Sequence, residues 1–379
     1  MILILSLVFM STGSCCVSFF VALDSQGDVW RCSTSKQEKE SESIPRRLEI
    51  AQQIVSVSSG NFHAVFLSDT GCLWSMGENS VGQLGLGHNL RQTQPTLVEN
   101  IPEMNFVSCA RFQSFAIDSV GDLWAFGSND SCKLGIMDSR AKFSPTRVEG
   151  ISRLISVTAG GYASFGIDAD QHIYVWGSNN YYQGGVDDST AMLQPQRFPE
   201  CNFSAPVVSI EAGFRHTLFL LEDGSVVSFG ANHCGQCGRE VQSDGFPINP
   251  DSPYVIQNLP RIKAISCGFN SSRCIDEEGN LWVFGNNTDN LLGCSVQNAA
   301  ITDPQQIEDI QSVKSVMRGG HGTVLKDSNG ELWCFGIENQ CLVSETTNSL
   351  PFPCKVNDPT WNSLFYVVEN RSKSARSAQ

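Results

Sequence analysis

Apolar residues run along this chain in short bursts of four to six, each closed by Gly, Asn, Asp or Ser, and the bursts recur in a fixed order. From Ile54 to Gly87 that order is Ile54-Val55-Ser56-Val57, Gly60, His63, the stretch Ala64 to Leu67, a turn ending at Gly71, Leu73-Trp74 and Gly77. Asn79, Gly82-Gln83-Leu84-Gly85 and Pro95 complete the unit. Short bursts rich in Val, Ile, Phe and Trp, separated by turn residues, predict β-strands rather than amphipathic helices. Asp69-Thr70-Gly71, Glu222-Asp223-Gly224 and Ser328-Asn329-Gly330 put Gly where a hairpin needs positive φ, so the second and third strands of a unit are expected to pair.

The glycine after the third strand recurs at Gly77, Gly127, Gly177, Gly230, Gly285 and Gly336, a spacing of about fifty residues. A weaker seventh copy lies upstream in Phe19-Phe20-Val21-Ala22-Leu23, Gly27, Trp30 and Pro45. One such sheet buries too little apolar surface to offset roughly 1–2 kcal/mol of backbone entropy per ordered residue, so the copies must stack on one another. The pattern therefore predicts an all-β, seven-bladed β-propeller with blades at roughly 1–50, 51–100, 101–150, 151–202, 203–258, 259–308 and 309–368, and a disordered tail at 369–379. Leu364-Phe365-Tyr366-Val367-Val368 reads as the first strand of a further, incomplete copy, while the first blade lacks a well-matched first strand that Ile2 to Val8 could supply. Strands from both chain ends are expected to close the ring.

Composition narrows the function. A net charge of −14 repels phosphate backbones and anionic membranes, so neither nucleic acid nor lipid is an expected partner. Fifteen cysteines, an odd number spread along the chain, fit reduced thiols in a cytoplasmic or nuclear protein better than a secreted disulfide framework. The apolar run Met1 to Met10 has no basic residue before it and is too short to span a bilayer, and it reads as a strand. Read as a signal segment, it would instead make the chain a secreted binder or inhibitor. The sequons at Asn129, Asn202, Asn270, Asn286 and Asn370 matter only in that case.

His63 and His216 occupy equivalent positions in separate copies, so they are read as structural groups that satisfy backbone carbonyls at the inner ends of blades. Cys234-Gly235-Gln236-Cys237, preceded by His233, is a single Cys-x-x-Cys whose Cys237 stands where the other copies have Leu, and it predicts no metal site. There is no Ser/His/Asp order and no phosphate-cradling loop, hence no expected catalytic residue, metal or cofactor. Trp74, Trp124, Trp282 and Trp333 share one repeat position and are read as the aromatic filling between blades. What varies between copies lies at the tips of the loops after the first strand. There Phe62, Phe112, Gln113, Tyr162, Phe214, Arg215, Phe269, Asn270 and His321 are expected to share one face and contact a partner, since aromatic residues and Arg dominate interface hot spots.

With Gly-x-x-His, Gly-x-Leu-Trp-x-x-Gly and Gly-Gln-Leu-Gly assembled, residues 14–368 resemble the repeat of the regulator of chromosome condensation family. Residues 74–87, from Trp74 to Gly87, carry the resemblance most fully. It implies a propeller whose relatives include an exchange factor for the small GTPase Ran and many domains that serve as protein-interaction platforms. The exchange factor is expected to use acidic residues in the loop before the His position and an extra β-wedge. Here that loop position holds Phe62, Phe112, Tyr162, Arg215, Asn270 or His321, and the one enlarged connection, Gln242 to Pro253, reads as a surface loop. The expectation is a monomeric, non-catalytic interaction scaffold with a protein partner. The alternatives are a guanine-nucleotide exchange factor for a Ran-like GTPase and a secreted protein-binding inhibitor.

Overall fold

The computed structural model describes residues 13–15, 19–24, 26–33, 45–186, 190–199, 203–241, 254–294, 296, 298–317, 322–337 and 349–356. These form seven four-stranded antiparallel meanders, blades 1 to 7, spanning residues 13–47, 54–97, 104–147, 154–197, 207–255, 262–307 and 313–355. Each meander follows chain order. In blade 2, Ile54–Ser59, His63–Ser68, Leu73–Gly77 and Gln92–Leu97 pair in turn, with His63 opposite Gly77 and Trp74 opposite Leu97. The first strands of blades 1 to 6 touch one another in turn, so they line the axis. The second strands are buried from end to end, and the fourth strands face water at the rim.

Gly71, Gly224 and Gly330 adopt φ of 80°, 83° and 84°, so the hairpin turns form where the sequence puts them. Aspartate finishes most of these turns. Asp118 Oδ1 accepts the N–H groups of Val120 (3.1 Å) and Asp122 (2.8 Å), while Oδ2 accepts the Trp124 indole N–H at 3.0 Å. Asp24–Trp30, Asp276–Trp282 and Asp327–Trp333 repeat the indole bond at 3.0, 2.9 and 3.1 Å. In blade 2, where Ser68 replaces the aspartate, Gln52 Oε1 accepts from Trp74 at 2.9 Å.

That bond explains a departure from the expected role of the repeated Trp. Its ring is only half-buried, because it sits beside the hairpin turn, at the end of the sheet, with its N–H tied to a turn carboxylate. The Trp still packs against the inter-blade clusters, and the seams are completed by the residue two further on, which shares the same face of the strand: Met76, Phe126, Trp176, Phe229, Phe284 and Phe335, all buried. Trp176 meets Phe115 of blade 3 edge-to-face at 6.1 Å. Phe126, Trp176, Phe229 and Phe335 lie against the second glycine of the preceding blade's Gly-Gln-Leu-Gly loop or its equivalent, at Gly85, Gly135, Gly185 and Gly293.

Buried clusters join every adjacent pair of blades. One spans blades 1 and 2, one blades 2 and 3, one blades 3 to 5 and one blades 5 to 7. The ring closes where Ala22 and Trp30 of blade 1 pack with Met317, Val324, Leu332 and Leu350 of blade 7. The first blade's inner strand is Gly13–Cys15, paired with Phe19–Leu23, where the sequence offers Ile2 to Val8. Ile2 to Val8, Leu364 to Val368, the loop Gln242 to Pro253 and the tail 369–379 lie outside the described residues.

Two glycines separate backbone strain from packing strain. Gly135 (φ 75°) would place a Cβ 3.0 Å from Trp176, whereas Gly150 (φ 80°) has nothing within 4 Å. Gly150→Ala should cost about 1–2 kcal/mol from the backbone alone. Gly135→Ala should cost a further 1–3 kcal/mol or so by forcing the seam open. Urea unfolding midpoints of the two variants compare them directly.

Candidate protein-binding face

Each first strand ends at the same side of the ring, so the loops to the second strands gather there. Five consecutive loops are bonded into an arc. Asn61 N–H donates to Arg111 O at 3.1 Å, Gln113 Nε2 to Gly160 O at 2.9 Å, Gly161 N–H to Gly213 O at 2.9 Å and Phe214 N–H to Phe269 O at 3.1 Å. The arc fixes the rings above it. Phe62 and Phe112 stack at 5.8 Å, Tyr162 meets Phe214 at 5.1 Å, and Phe214 meets Phe269 at 5.7 Å. These rings pack on their neighbours' rings across the seams and remain half-buried.

Two arginines tie the rings together. The Arg111 guanidinium lies 5.1 Å from the Phe112 ring centroid and 5.0 Å from that of Phe214. Arg215 lies 5.6, 4.5 and 5.3 Å from Tyr162, Tyr181 and Phe214, and donates to Tyr181 Oη at 3.1 Å. Arg111 reaches blade 5 because blade 4 has Gly161 at its tip, where a Cβ would lie 2.5 Å from the Phe214 ring. Inside the arc, the ends of the first strands surround a cavity of about 80 Å³ at the mouth of the axis, lined by Ser59, Cys109, Ala159, Ala212 and Cys267 together with the loop glycines.

Directly beneath lie the two histidines. His63 Nε2 is 2.7 Å from Ser114 Oγ of the next blade, and Ser114 donates its own hydrogen to Gln83 O at 2.8 Å, so Nε2–H of the imidazole is the donor. His216, Ser272 and Gln236 O repeat the relay at 3.0 and 2.8 Å. The partner is thus a hydroxyl across the seam, in place of the carbonyl expected from sequence. Burial pushes both imidazoles down to about 3, so they are neutral. Ser164 and Thr217 donate to the same loop carbonyl of Lys133 and Gln183. That loop is held in turn by a buried asparagine: Asn79 Oδ1 accepts Leu84 N–H at 3.0 Å, and Asn129, Asn179, Asn232 and Asn287 do likewise. The sequon at Asn129 is consequently sealed, at 1% exposure.

Of the residues expected at this face, Phe62, Phe112, Tyr162, Phe214, Arg215, Phe269 and Asn270 stand at it half-buried, and Gln113 is buried in the arc as a structural donor. His321 lies outside the described residues. Sequence reasoning missed Tyr181 and Lys133. The lysine replaces the repeat's Gln, a detectable substitution; burial brings it down to about 8, and it lies 5.9 Å from the Tyr162 ring.

Among the described residues, Cys237 and the Asp168 cluster are engaged in internal hydrogen bonds. Cys237 is fully buried with its thiol pushed up to about 12 by desolvation, and it donates to Ala231 O at 3.3 Å. Asp168, Asp170 and His172 are grouped among the described residues, but His172 Nδ1 bonds Asp168 Oδ2 at 3.0 Å and Asp170 pairs with Arg153 at 2.9 Å, the turn arrangement of the other blades.

Fold and face together define a seven-bladed β-propeller of fifty-residue repeats with one aromatic, arginine-bearing loop face. The family profile described as "Regulator of chromosome condensation (RCC1) repeat" matches residues 54–83, 154–183 and 207–236, and a second profile of the same description matches 70–117, 120–167 and 170–220. The chain thus carries repeats of the regulator of chromosome condensation type over residues 54–117 and 120–236. It is 27% identical over 136 residues to the mouse Regulator of chromosome condensation, covering 35% of this chain and 32% of that protein. It is 38% identical over 103 residues to human Protein RCC2, covering 27% and 19%. These matches therefore span about a third and a fifth of the relatives' lengths. Among solved structures, yeast Prp20p, whose binding properties to Gsp1p and histones are described with it, superposes with a TM-score of 0.73 at 23% identity over 86% of this chain and 82% of Prp20p. Human WBSCR16 superposes at 0.72 and 20% identity over 84% and 85%.

The buried imidazoles make stability depend on acid. Their folded values lie near 3 against an ordinary 6.5, so below pH 6.5 the unfolded chain takes up protons that the fold cannot. Each histidine should then cost about 1.4 kcal/mol per pH unit down to roughly pH 3. Gln113 holds the equivalent place in blade 3 without titrating. His63→Gln with His216→Gln should therefore fold and lose that share of the slope between urea midpoints at pH 6.5 and 5.

Proposed function

We propose that this chain is a non-catalytic interaction scaffold that binds a protein partner through the loop face carrying Phe62, Phe112, Tyr162, Phe214 and Phe269 with Arg111 and Arg215. One observation carries the reading: five rings and two arginines form a continuous surface in which, among the described residues, neither arginine is ion-paired to an acid. Aromatic rings and guanidinium groups held rigid by their neighbours lose little entropy when a partner covers them. The chain's net charge of −14 makes such a cationic, aromatic face the exception on its surface. No helix of the described residues is long and apolar enough to cross a membrane, and a cytoplasmic or nuclear location is part of this proposal.

Exchange-factor activity toward a Ran-like GTPase is the second reading, favoured by the fold shared with Prp20p and its described binding to Gsp1p. A nucleotide-release assay with Ran separates the two. The scaffold reading expects no acceleration at micromolar chain, and acceleration would overturn it. Phe112→Ala with Phe214→Ala should leave the thermal midpoint close to wild type while abolishing recovery of the principal partner in affinity purification with mass spectrometry. Retained recovery with a large loss of stability would make these rings core instead of interface.

A further inference from the structure

At the seam between blades 6 and 7, one residue of the second strand departs from the repeat. At the third position of the second strand, blades 2 to 5 and 7 carry Val65, Phe115, Phe165, Leu218 and Val324, all apolar and buried. Blade 6 carries Arg273, only 2% exposed. A guanidinium stays protonated there, since burial brings it down only to about 10. Among the described residues it has no carboxylate partner: Nε donates to Thr323 Oγ1 of blade 7 at 2.5 Å, and Nη2 has no hydrogen-bond acceptor.

A second orphan lies beside it. Ser266 is the direct cross-strand partner of Arg273, so both side chains project from the same face of the sheet. Its hydroxyl is buried and also lacks a partner among the described residues. In blade 2 the equivalent Ser58 is satisfied, accepting Cys109 N–H of the next blade at 2.8 Å. The neighbouring thiol of Cys267 offers no counter-charge, because its hydrogen is directed at Glu211 O at 3.4 Å. A permanent cation and an unpaired hydroxyl thus share a seam walled by Val283, Leu325 and Phe335, all fully buried. An uncompensated charge in such surroundings is among the costliest features a fold can carry.

We propose that this seam holds one small monovalent anion of the chloride class, bound by Arg273 Nη2 and the Ser266 hydroxyl. A single guanidinium balances a single negative charge, and a dianion would leave the seam charged again. The apolar walls exclude a ligand with an organic tail. The anion neutralises the seam and so contributes to closure of the ring between the last two blades.

The test compares thermal unfolding of the full chain in sodium chloride and in sodium gluconate at equal ionic strength. The midpoint should rise with chloride by roughly 2 °C for each tenfold increase above half-saturation. Arg273→Leu, which copies Leu218 of blade 5, should remove the chloride dependence. Crystals grown in sodium bromide should show an anomalous peak within hydrogen-bonding distance of Nη2 and the Ser266 hydroxyl. An equal midpoint in both salts, an undiminished chloride effect in the variant, or a bromide-free seam filled by water would each overturn the proposal. Should the variant fail to fold, the wild-type salt comparison and the bromide peak decide the matter.

Discussion

In four successive seams of this ring, a hydroxyl from one blade reaches across to the backbone carbonyl of a loop residue in the blade before it. Ser114, Ser164, Thr217 and Ser272 cap Gln83, Lys133, Gln183 and Gln236, all in buried surroundings where an orphaned carbonyl would cost about 1–3 kcal/mol. In the first three of these seams the same loop presents a glycine, Gly85, Gly135 or Gly185, against which the next blade's Phe or Trp packs. Polar and apolar contacts thereby specify one relative placement of two sheets, and repeating that placement bends the array into a ring. A blade by itself has neither its loop carbonyl satisfied nor its aromatic residue covered, so its order depends on its neighbours.

The loop face inherits its rigidity from this arrangement. The histidines that donate to two of the bridging serines sit one residue after the loop tips, so the network that joins the blades also sets the height and spacing of Phe62 and Arg215. Departures from the repeat are where the surface acquires its character. Gly161 removes a side chain so that Phe214 and Arg111 can meet, and Lys133 brings a charge beneath Tyr162. Arg273 departs in the interior, and the polar seam it creates lies between blades 6 and 7, one seam away from the closing contact of Ala22 and Trp30 with blade 7.

Repetition is what made the fold readable. A Gly that must adopt positive φ, a Trp after it and a Gly-Gln-Leu-Gly loop recur at a spacing that only stacked, similar units explain, and the hairpin register follows from the turn glycines. The grouping of Phe62, Phe112, Tyr162, Phe214 and Phe269 on one side also follows from repeat position, because equivalent residues of a ring occupy equivalent heights. Their pairing with one another did not follow, since stacking across a seam depends on the twist between blades and on Gly161 being too small to intervene.

The sequence by itself determined the number of blades, their strand order and the side on which the variable loops emerge, because these depend on local pattern and period. The tertiary structure alone decided which side chains answer one another across seams. It gave His63 a serine fifty-one residues away, buried Phe126 in the seam beyond the half-buried Trp124, and left Arg273 without an acid among the described residues. Contacts of that kind join residues of different repeats, and their identity is set by how neighbouring sheets are turned toward one another, a geometry that no single repeat encodes.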